Sequence, residues 1–393
     1  MLIEIHMLKN YPPVNLNRDD SGAPKSCFFG GVQRGRISSQ CLKRSWRTSD
    51  TFRTLGSYGI RTRGMPALVG DRLTEMGIPQ EFVEEAVKKL TGVANKEGTI
   101  NKKGSITSQI VIYSHEEIER FAQAVKAAIE KDGSLKAFAK RTPKEFDQLK
   151  ACAKDKPITA DIALFGRMVT SDYFADVDAA MQVAHAISTH AVNRESDYFT
   201  AVDDLLKQSD DSIAAVYDLL GQSDNSTGAG MISDVDYNSC CYYEYAALDT
   251  DILRENLKNC PDREALMEKL MPVLLRAMAY TNPSGKQNTF AGQVLPDLVM
   301  VECKKDKIPL SYVNAFEEPV SAWGNQPNLV KKSIEKLTAH VDCMDHAYEL
   351  PVCHRAFFAP RFGETHPMAC EVYDQFSALA QACAGWLQED DAP

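Results

Sequence analysis

Phe28-Phe29-Gly30-Gly31-Val32-Gln33-Arg34-Gly35-Arg36-Ile37-Ser38-Ser39-Gln40-Cys41-Leu42-Lys43-Arg44-Ser45-Trp46-Arg47 is the stretch on which the reading turns. Its first part is Gly-rich, so backbone amides can come close to a ligand. Ser38-Ser39-Gln40 reads as a helix start, with a hydroxyl N-cap and free N–H groups that suit an anion. In the helix that follows, Cys41, Leu42, Ser45 and Trp46 fall at core spacing. Gln40, Lys43 and Arg47 share another face, three and four residues apart. One side packs and the other presents amide and cationic groups.

The charge balance around this stretch is uneven. The 393-residue chain carries 44 basic and 54 acidic side chains, a net charge of −10 that alone argues against a nucleic-acid partner. Yet Lys25, Arg34, Arg36, Lys43, Arg44, Arg47, Arg53, Arg61 and Arg63 share one window with a single acid, Asp50. That window carries +8 (nine bases less one acid), which leaves −18 for the remainder. A segment so polarised inside an acidic chain points to a local anion site.

The rest of the composition bounds the class. Hydrophobic residues make up 44% and charged residues 25%, which excludes disorder, collagen and coiled coil as global descriptions. The length allows two or three domains at roughly 100–200 residues each. No run approaches the roughly 18–20 apolar residues of a membrane helix. The N-terminus lacks the basic and apolar regions of a signal peptide. The eleven cysteines form no CxxC pair, so they read as reduced, mostly packed thiols in a cytoplasm.

Along the chain, residues 2–8 alternate as a strand, with Ile3, Ile5 and Met7 on one side and Leu2, Glu4, His6 and Leu8 on the other. A Pro/Asn/Asp-rich loop covers Tyr11 to Pro24. Residues 65–153 read as a helical insertion, with amphipathic segments at Pro79–Leu90, His115–Lys131 and Pro143–Ala153. Thr159–Phe165 reads as a strand and Val177–Val192 as a helix. Residues 207–239 read as a long loop or hairpin. Strands are expected at Cys240–Leu248, Asp297–Cys303 and Leu310–Phe316, and helices at Arg263–Ala279, 327–349 and 370–388. Strand, basic helix, insertions, strands, helix, strand is the order of an α+β, ferredoxin-like βαββαβ sheet, the scaffold of the RNA recognition module.

Catalytic motifs are missing. After Gly30 and Gly35 come Arg36-Ile37 rather than Lys-Ser/Thr, which argues against a P-loop. His185 and His190 are five apart, off a common helical face. His366 and Cys370 are four apart with no third ligand, and both pairs read as packing rather than a metal site. Cys240 and Cys241 point to opposite faces of a strand. There is no G-x-S-x-G elbow. Binding is favoured over catalysis, with no cofactor and no metal expected. A metabolic enzyme holding a phosphorylated small molecule in the Gly-rich loop stays open at this point.

Several motifs then carry a resemblance. Leu16-Asn17-Arg18-Asp19-Asp20, Phe29-Gly30-Gly31 and Arg36–Arg44 are similar to the N-terminal signature of the Cas-seven family, CRISPR Cascade backbone subunits, above all its CasC members from type I-E complexes. Asp161–Met168, Ala184–His190, Asp197–Leu205, Gly285-Lys286-Gln287 and Asn314–Glu317 extend the similarity in register over about three quarters of the chain. The segments 65–153 and beyond about 320 match poorly.

The resemblance implies a right-hand shape: an RRM-like palm (1–64, 154–193 and 240–393), helical fingers (65–153) and a β-hairpin thumb (194–239). It implies guide RNA (crRNA) as ligand, about six copies polymerised head to tail, other Cascade subunits as partners, and target DNA reached through the guide. No membrane is involved and no reaction is catalysed. By position in the motifs, Arg18, Lys25, Ser38, Gln40, Lys43 and Arg47 would contact guide phosphates, a recognition without base readout. Asn17, Arg34, Arg36, Ser39 and Arg44 lie in the same motifs. Met168, after Arg167, would wedge against a kinked base. Phe199 would stack on a base at the start of the thumb. At the thumb tip Ala229-Gly230-Met231 departs from the family pattern, and Met231 takes the place of its apolar residue. Lys286 is a further RNA contact. The alternative within this resemblance is a relative that cleaves RNA with a loop aspartate.

Overall fold

The computed structural model describes residues 1–93, 106–142, 158–169, 173–202, 229–321 and 328–389. Its centre is β1 (Leu2–Asn10), a nine-residue strand buried along almost its whole length. The two faces of β1 differ in chemistry. Ile3, Ile5 and Met7 join the larger apolar core, while Leu2 and Leu8 join a separate cluster on the opposite face, flanking buried Glu4 and His6.

Around β1 the strands are β2 (Ser26–Phe29), β3 (Val32–Ile37), β4 (Ile60–Thr62), β5 (Val111–Tyr113), β6 (Met181–Val183), β7 (Ala186–Ser188), β8 (Glu195–Val202), β9 (Ala229–Tyr237), β10 (Cys241–Asp249), β11 (Leu298–Lys304), β12 (Val352–Phe358) and β13 (Glu371–Val372). The main sheet runs β13-β12-β11-β1-β10-β7-β3-β2, with β6 also on β10. β1 is antiparallel to both neighbours, with Ile5 opposite Ala246 of β10 and Val301 of β11. β6 and β7 are halves of one interrupted strand, pairing with Ala246–Leu248 and Tyr242–Tyr243 of β10. The inner order β11-β1-β10-β6/β7 is therefore fourth, first, third, second in the chain, a ferredoxin-like βαββαβ sheet, as the sequence implied.

The two crossover helices lie on one face. Leu42 and Trp46 of the Ser39–Thr48 helix and Leu270, Leu274 and Met278 of Arg263–Tyr280 pack there with Ile3, Ile5, Tyr242 and Val301. The C-terminal helix Phe376–Glu389 adds Leu379, Cys383 and Leu387. The other face is the one on which an RNA recognition module stacks bases. Here it is covered by the Leu329–Tyr348 helix, whose Val330, Ile334, Leu337 and Val341 pack over Tyr243, Tyr245, Met300 and Tyr312. Buried under that cover, Lys304 pairs with Glu4 and Glu302, and Arg355 pairs with Glu302 at 2.6 Å and Asp345 at 2.7 Å.

A second apolar core, Met65 to Phe138 with Val169, Tyr173 and Phe174, belongs to the helices Met65–Glu75, Gln80–Leu90, His115–Asp132 and Leu135–Lys140 and the antiparallel β4–β5 strand pair. His115–Asp132 starts on a capping box: Ser114 Oγ accepts from Glu117 N at 3.0 Å, and Ser114 N donates to Glu117 at 2.8 Å. β8 and β9 form a separate antiparallel ribbon. No described helix is long and apolar enough to cross a membrane.

Four expectations are corrected. Thr159–Phe165 contains a helix, Ala160–Phe165, not a strand. Residues 160–164 are all buried, and a short apolar run cannot separate the two states by periodicity. Val177–Val192 holds β6 and β7 rather than a helix, because pairing with β10 overrides an Ala-rich composition. Leu310–Phe316 holds a 3₁₀ turn, Tyr312–Phe316, with Ser311 Oγ accepting from Val313 N. The expected 370–388 helix begins at Phe376, after β13. The expected helix Pro143–Ala153 and the thumb stretch 203–228 lie outside the described residues.

Candidate nucleic-acid interface

The Ser39–Thr48 helix begins as its sequence reads. Ser38 is the N-cap, its Oγ accepting from Cys41 N at 3.4 Å, and Asn17 Oδ1 accepts from Ser38 N at 2.9 Å. The first turn holds no acid, so the positive end of the helix dipole is not neutralised from within. Leu42 and Trp46 bury the opposite side.

Cations gather around that helix end. Lys25 joins the group through its backbone, its N donating to Asn17 O and its O accepting from Arg36 N, both at 2.9 Å. Arg36 Nη1 lies 3.1 Å from His185 Nδ1, where the break between β6 and β7 leaves that ring exposed. Burial, and then the charges of Arg36, Lys25 and Lys43, hold the His185 pKa below its ordinary value. A neutral ring can accept the Arg36 hydrogen bond. Burial lowers the pKa of Lys43. Burial raises the Cys41 thiol against the opposing charges of Lys25 and Arg44. Lys25, Arg36, Lys43 and Arg44 thus form one patch, and none of them has an ion pair among the described residues.

Arg44 also lines a polar groove of ≈ 750 Å³ with Asn17, the exposed Arg18, Asp19, Asp20, Asn282 and Gly285. The groove is narrow by construction. A Cβ on Gly285 would sit 2.2 Å from Leu16 O, so the loop carrying Lys286 is pressed on the segment before Arg18. Lys286 itself holds a left-handed φ of 50°, unusual for a residue with a side chain. Gln40 is exposed beside this patch.

Four of the sequence-derived residues are engaged elsewhere. Arg34 is fully buried; it donates to the carbonyls of Phe29, Ser188, Phe316 and Glu317 at 3.2, 3.1, 2.7 and 3.1 Å. It holds the β2–β3 hairpin to the sheet and offers nothing to a ligand. Gly30 belongs to the same joint, since a Cβ there would meet Glu317 O at 1.7 Å. Ser39 is buried in the helix. Arg47 pairs with buried Asp161 at 3.2 Å and donates to Gly59 O at 3.2 Å. Arg167 is buried against Glu117 at 2.8 Å, with further bonds to Ile112 O and Ala175 O. Its anchoring leaves the next side chain, Met168, 90% exposed.

On the ribbon, Phe199 pairs with Ser233 and Ala201 with Met231, so positions 199 and 231 share a face. Phe199 is 39% exposed and Tyr198, on the opposite face, is 65% exposed. The ribbon root rests on Phe290, 5.7 Å from the Tyr237 ring. Sequence reasoning missed Asp161 and Glu117, whose partners lie 114 and 50 residues away. It also missed Asp19 as a turn residue, its carboxylate accepting from Ser21 N and Oγ and from Ala23 N.

A ferredoxin-like sheet with one covered face and a cationic helix end has counterparts among solved structures. It is similar to a chain of a solved structure described as "CRISPR RNA-guided surveillance complex, pre-nicking", with a TM-score of 0.79 and 25% identity over 98% of this chain and 99% of that one. A second, described as "CRISPR RNA-guided surveillance complex", has a TM-score of 0.69 at 22% identity over 98% and 99% of the two chains, and shows the fold alone. No curated protein matches the chain. The sequence pattern of the CT1975-like protein family matches residues 3–382, and the chain belongs to that family.

Proposed function

We propose that this chain is a guide-RNA-binding backbone subunit of a CRISPR surveillance complex. The carrying observation is the unneutralised start of the Ser39–Thr48 helix ringed by Lys25, Arg36, Lys43 and Arg44, none of them in an ion pair among the described residues. Such a surface grips phosphates of any sequence, which a guide of arbitrary sequence requires. Arg18 and Lys286 extend it along the groove, and Met168 and the ribbon positions Phe199 and Met231 supply apolar contacts to bases. The family and the similarity to surveillance-complex chains support the reading.

In its finer form the subunit is of the CasC type from a type I-E Cascade, with palm, fingers and thumb divided as the sequence implied. About six copies line up head to tail on one guide, beside other Cascade subunits, and display it for pairing with target DNA in a prokaryotic cytoplasm. The subunit itself is non-catalytic.

Size-exclusion chromatography with mass measured across the peak, with and without guide RNA, tests this. RNA-dependent growth to a multi-copy species with a raised 260/280 nm absorbance ratio is expected. A discrete particle that ignores RNA would refute the reading. Incubating the assembled complex with Mg²⁺ and labelled complementary RNA tests the non-catalytic part; regularly spaced cuts would contradict it.

A further inference from the structure

Three further arginines of the +8 window, Arg53, Arg61 and Arg63, belong neither to the cationic patch nor to the buried joints of Arg34 and Arg47. Arg53 sits over the Tyr58 ring at 5.6 Å. Arg61 and Arg63 are different. They flank Thr62 on and just after β4, two residues apart, so they face the same way. Ile60 turns the other way and packs on the second core, as do Val111 and Tyr113 of β5. Arg61 pairs with Ile112, and continuing the register places Arg63 opposite Ile110. The outer face of this strand pair therefore reads Arg61, Arg63, Ile110 and Ile112. Ile110 is 52% exposed. The arginines are exposed; Arg63 makes one bond, to Ser108 O at 2.9 Å, and neither has an ion pair among the described residues. Residues 51–70 and 106–113 contain no Asp or Glu.

The strand pair is also firmly placed. Gly59, immediately before β4, donates to Asp161 at 3.0 Å and accepts from Arg47, which ties β4 to the cationic helix. Ile112 O accepts from Arg167 at 3.1 Å, which ties β5 to the residue before Met168. Two exposed arginines and an exposed aliphatic are thus held on a strand pair that is tied at one point to the cationic helix and at another to the residue before the exposed methionine.

We infer that the outer face of the β4–β5 strand pair is a second nucleic-acid surface, in which Arg61 and Arg63 contact the sugar–phosphate backbone of a strand lying past Met168. A row of cations beside a row of aliphatic side chains suits a polynucleotide, with phosphates on the arginines and the apolar faces of sugars and bases on the isoleucines. The inference rests on the proposed guide-binding function. Two strands share the required chemistry, the guide and the DNA strand paired with it, and the geometry favours no other class of partner.

The test compares the full-length protein with an Arg61→Gln/Arg63→Gln variant, with Arg61→Lys/Arg63→Lys as the charge-keeping control. Fluorescence anisotropy follows a labelled single-stranded RNA in one arm and labelled complementary DNA added to the protein–RNA complex in the other, across a salt series. The glutamine variant is expected to bind the DNA about tenfold more weakly, with a salt slope lower by about 1.4–1.8, and the lysine variant to retain most of the slope. Equal weakening in the RNA arm would assign the contact to the guide and sustain the surface. Unchanged affinity and slope in both arms, with wild-type protein binding RNA, overturns the inference alone. Wild-type protein that binds no RNA overturns the underlying function instead.

Discussion

Arg47 Nη1 and Asp161 Oδ2 are 3.2 Å apart, with the Asp161 side chain fully buried and the Arg47 side chain one-tenth exposed. The carboxylate also accepts from Gly59 N, Thr159 Oγ1 and Ile162 N. An arginine that the sequence aligns with phosphate contacts is therefore a joint between the cationic helix, the approach to β4 and the Ala160–Phe165 helix. Breaking a buried pair from one side leaves a charge without compensation. Arg47→Ala and Asp161→Ala should each lose about 3–5 kcal/mol in urea unfolding. Wild-type stability in either variant would show that the joint carries no weight.

Lys43 and Arg44 have no ion-pair partner among the described residues, so the consequence of removing them is different. Lys43→Ala/Arg44→Ala should stay within about 0.5 kcal/mol of wild type in stability. Its RNA affinity should fall, with the slope of log K against log salt lower by about 0.7 for each phosphate of a single strand that is no longer neutralised. Anisotropy titrations in rising salt measure both. An unchanged slope would remove these residues from the phosphate interface.

Arg167 and Met168 are neighbours with opposite roles. Arg167→Ala should destabilise by about 3 kcal/mol or more, because Glu117 is left buried and unpaired. Met168→Ala should unfold as wild type does, since the side chain is solvent-exposed. If Met168 wedges a base out of its stack, 2-aminopurine in bound RNA should be bright with wild type and dimmer with Met168→Ala. Equal fluorescence from both would discard the wedge.

His6 makes acid stability measurable. Burial first, with smaller opposing effects from Glu302 against Lys304 and Arg355, holds its pKa down to about 3 from 6.5. Its Nδ1 is 2.8 Å from Tyr243 Oη. Below pH 6.5 the unfolded chain takes up a proton that the folded chain refuses. Stability should therefore be fully present above 6.5 and fall as pH drops toward 3, by about 1.4 kcal/mol per unit from this group. In His6→Gln that part of the slope should disappear. Urea midpoints at pH 7.5, 6 and 5 for both proteins suffice, and parallel curves would exclude His6 as the cause.

The N-cap at Ser38, the buried Leu42 and Trp46 and the alternation of β1 are legible because each depends on local spacing; the succession of elements points to a ferredoxin-like sheet, although its second strand, β6 and β7, reads locally as a helix. The sources of error were partners far away in sequence. Lys43 and Arg47 are four residues apart on one helix and nothing local separates them; only Asp161, 114 residues on from Arg47, decides that one is free. Arg34 likewise reads as one of nine cations until carbonyls at Ser188 and Phe316 close over it. The Val177–Val192 segment misled because a helix-favouring composition lies where the sheet needs a strand between β10 and β3. The cover over the sheet was missed because Leu329–Tyr348 is in a part of the chain where the family resemblance fades.

The two-faced alphabet of β1 has a consequence for how errors are rejected during folding. A sheet with the same aliphatic residues on both sides tolerates a slipped strand, since one oily row replaces another. In β1 a shift by one residue would turn Glu4 and His6 toward Leu164 and Leu274 and set Ile3 and Ile5 among Lys304, Glu302 and Arg355. A slip by one residue strands ionic groups in oil, so the central strand acts as a spelling check against that misreading.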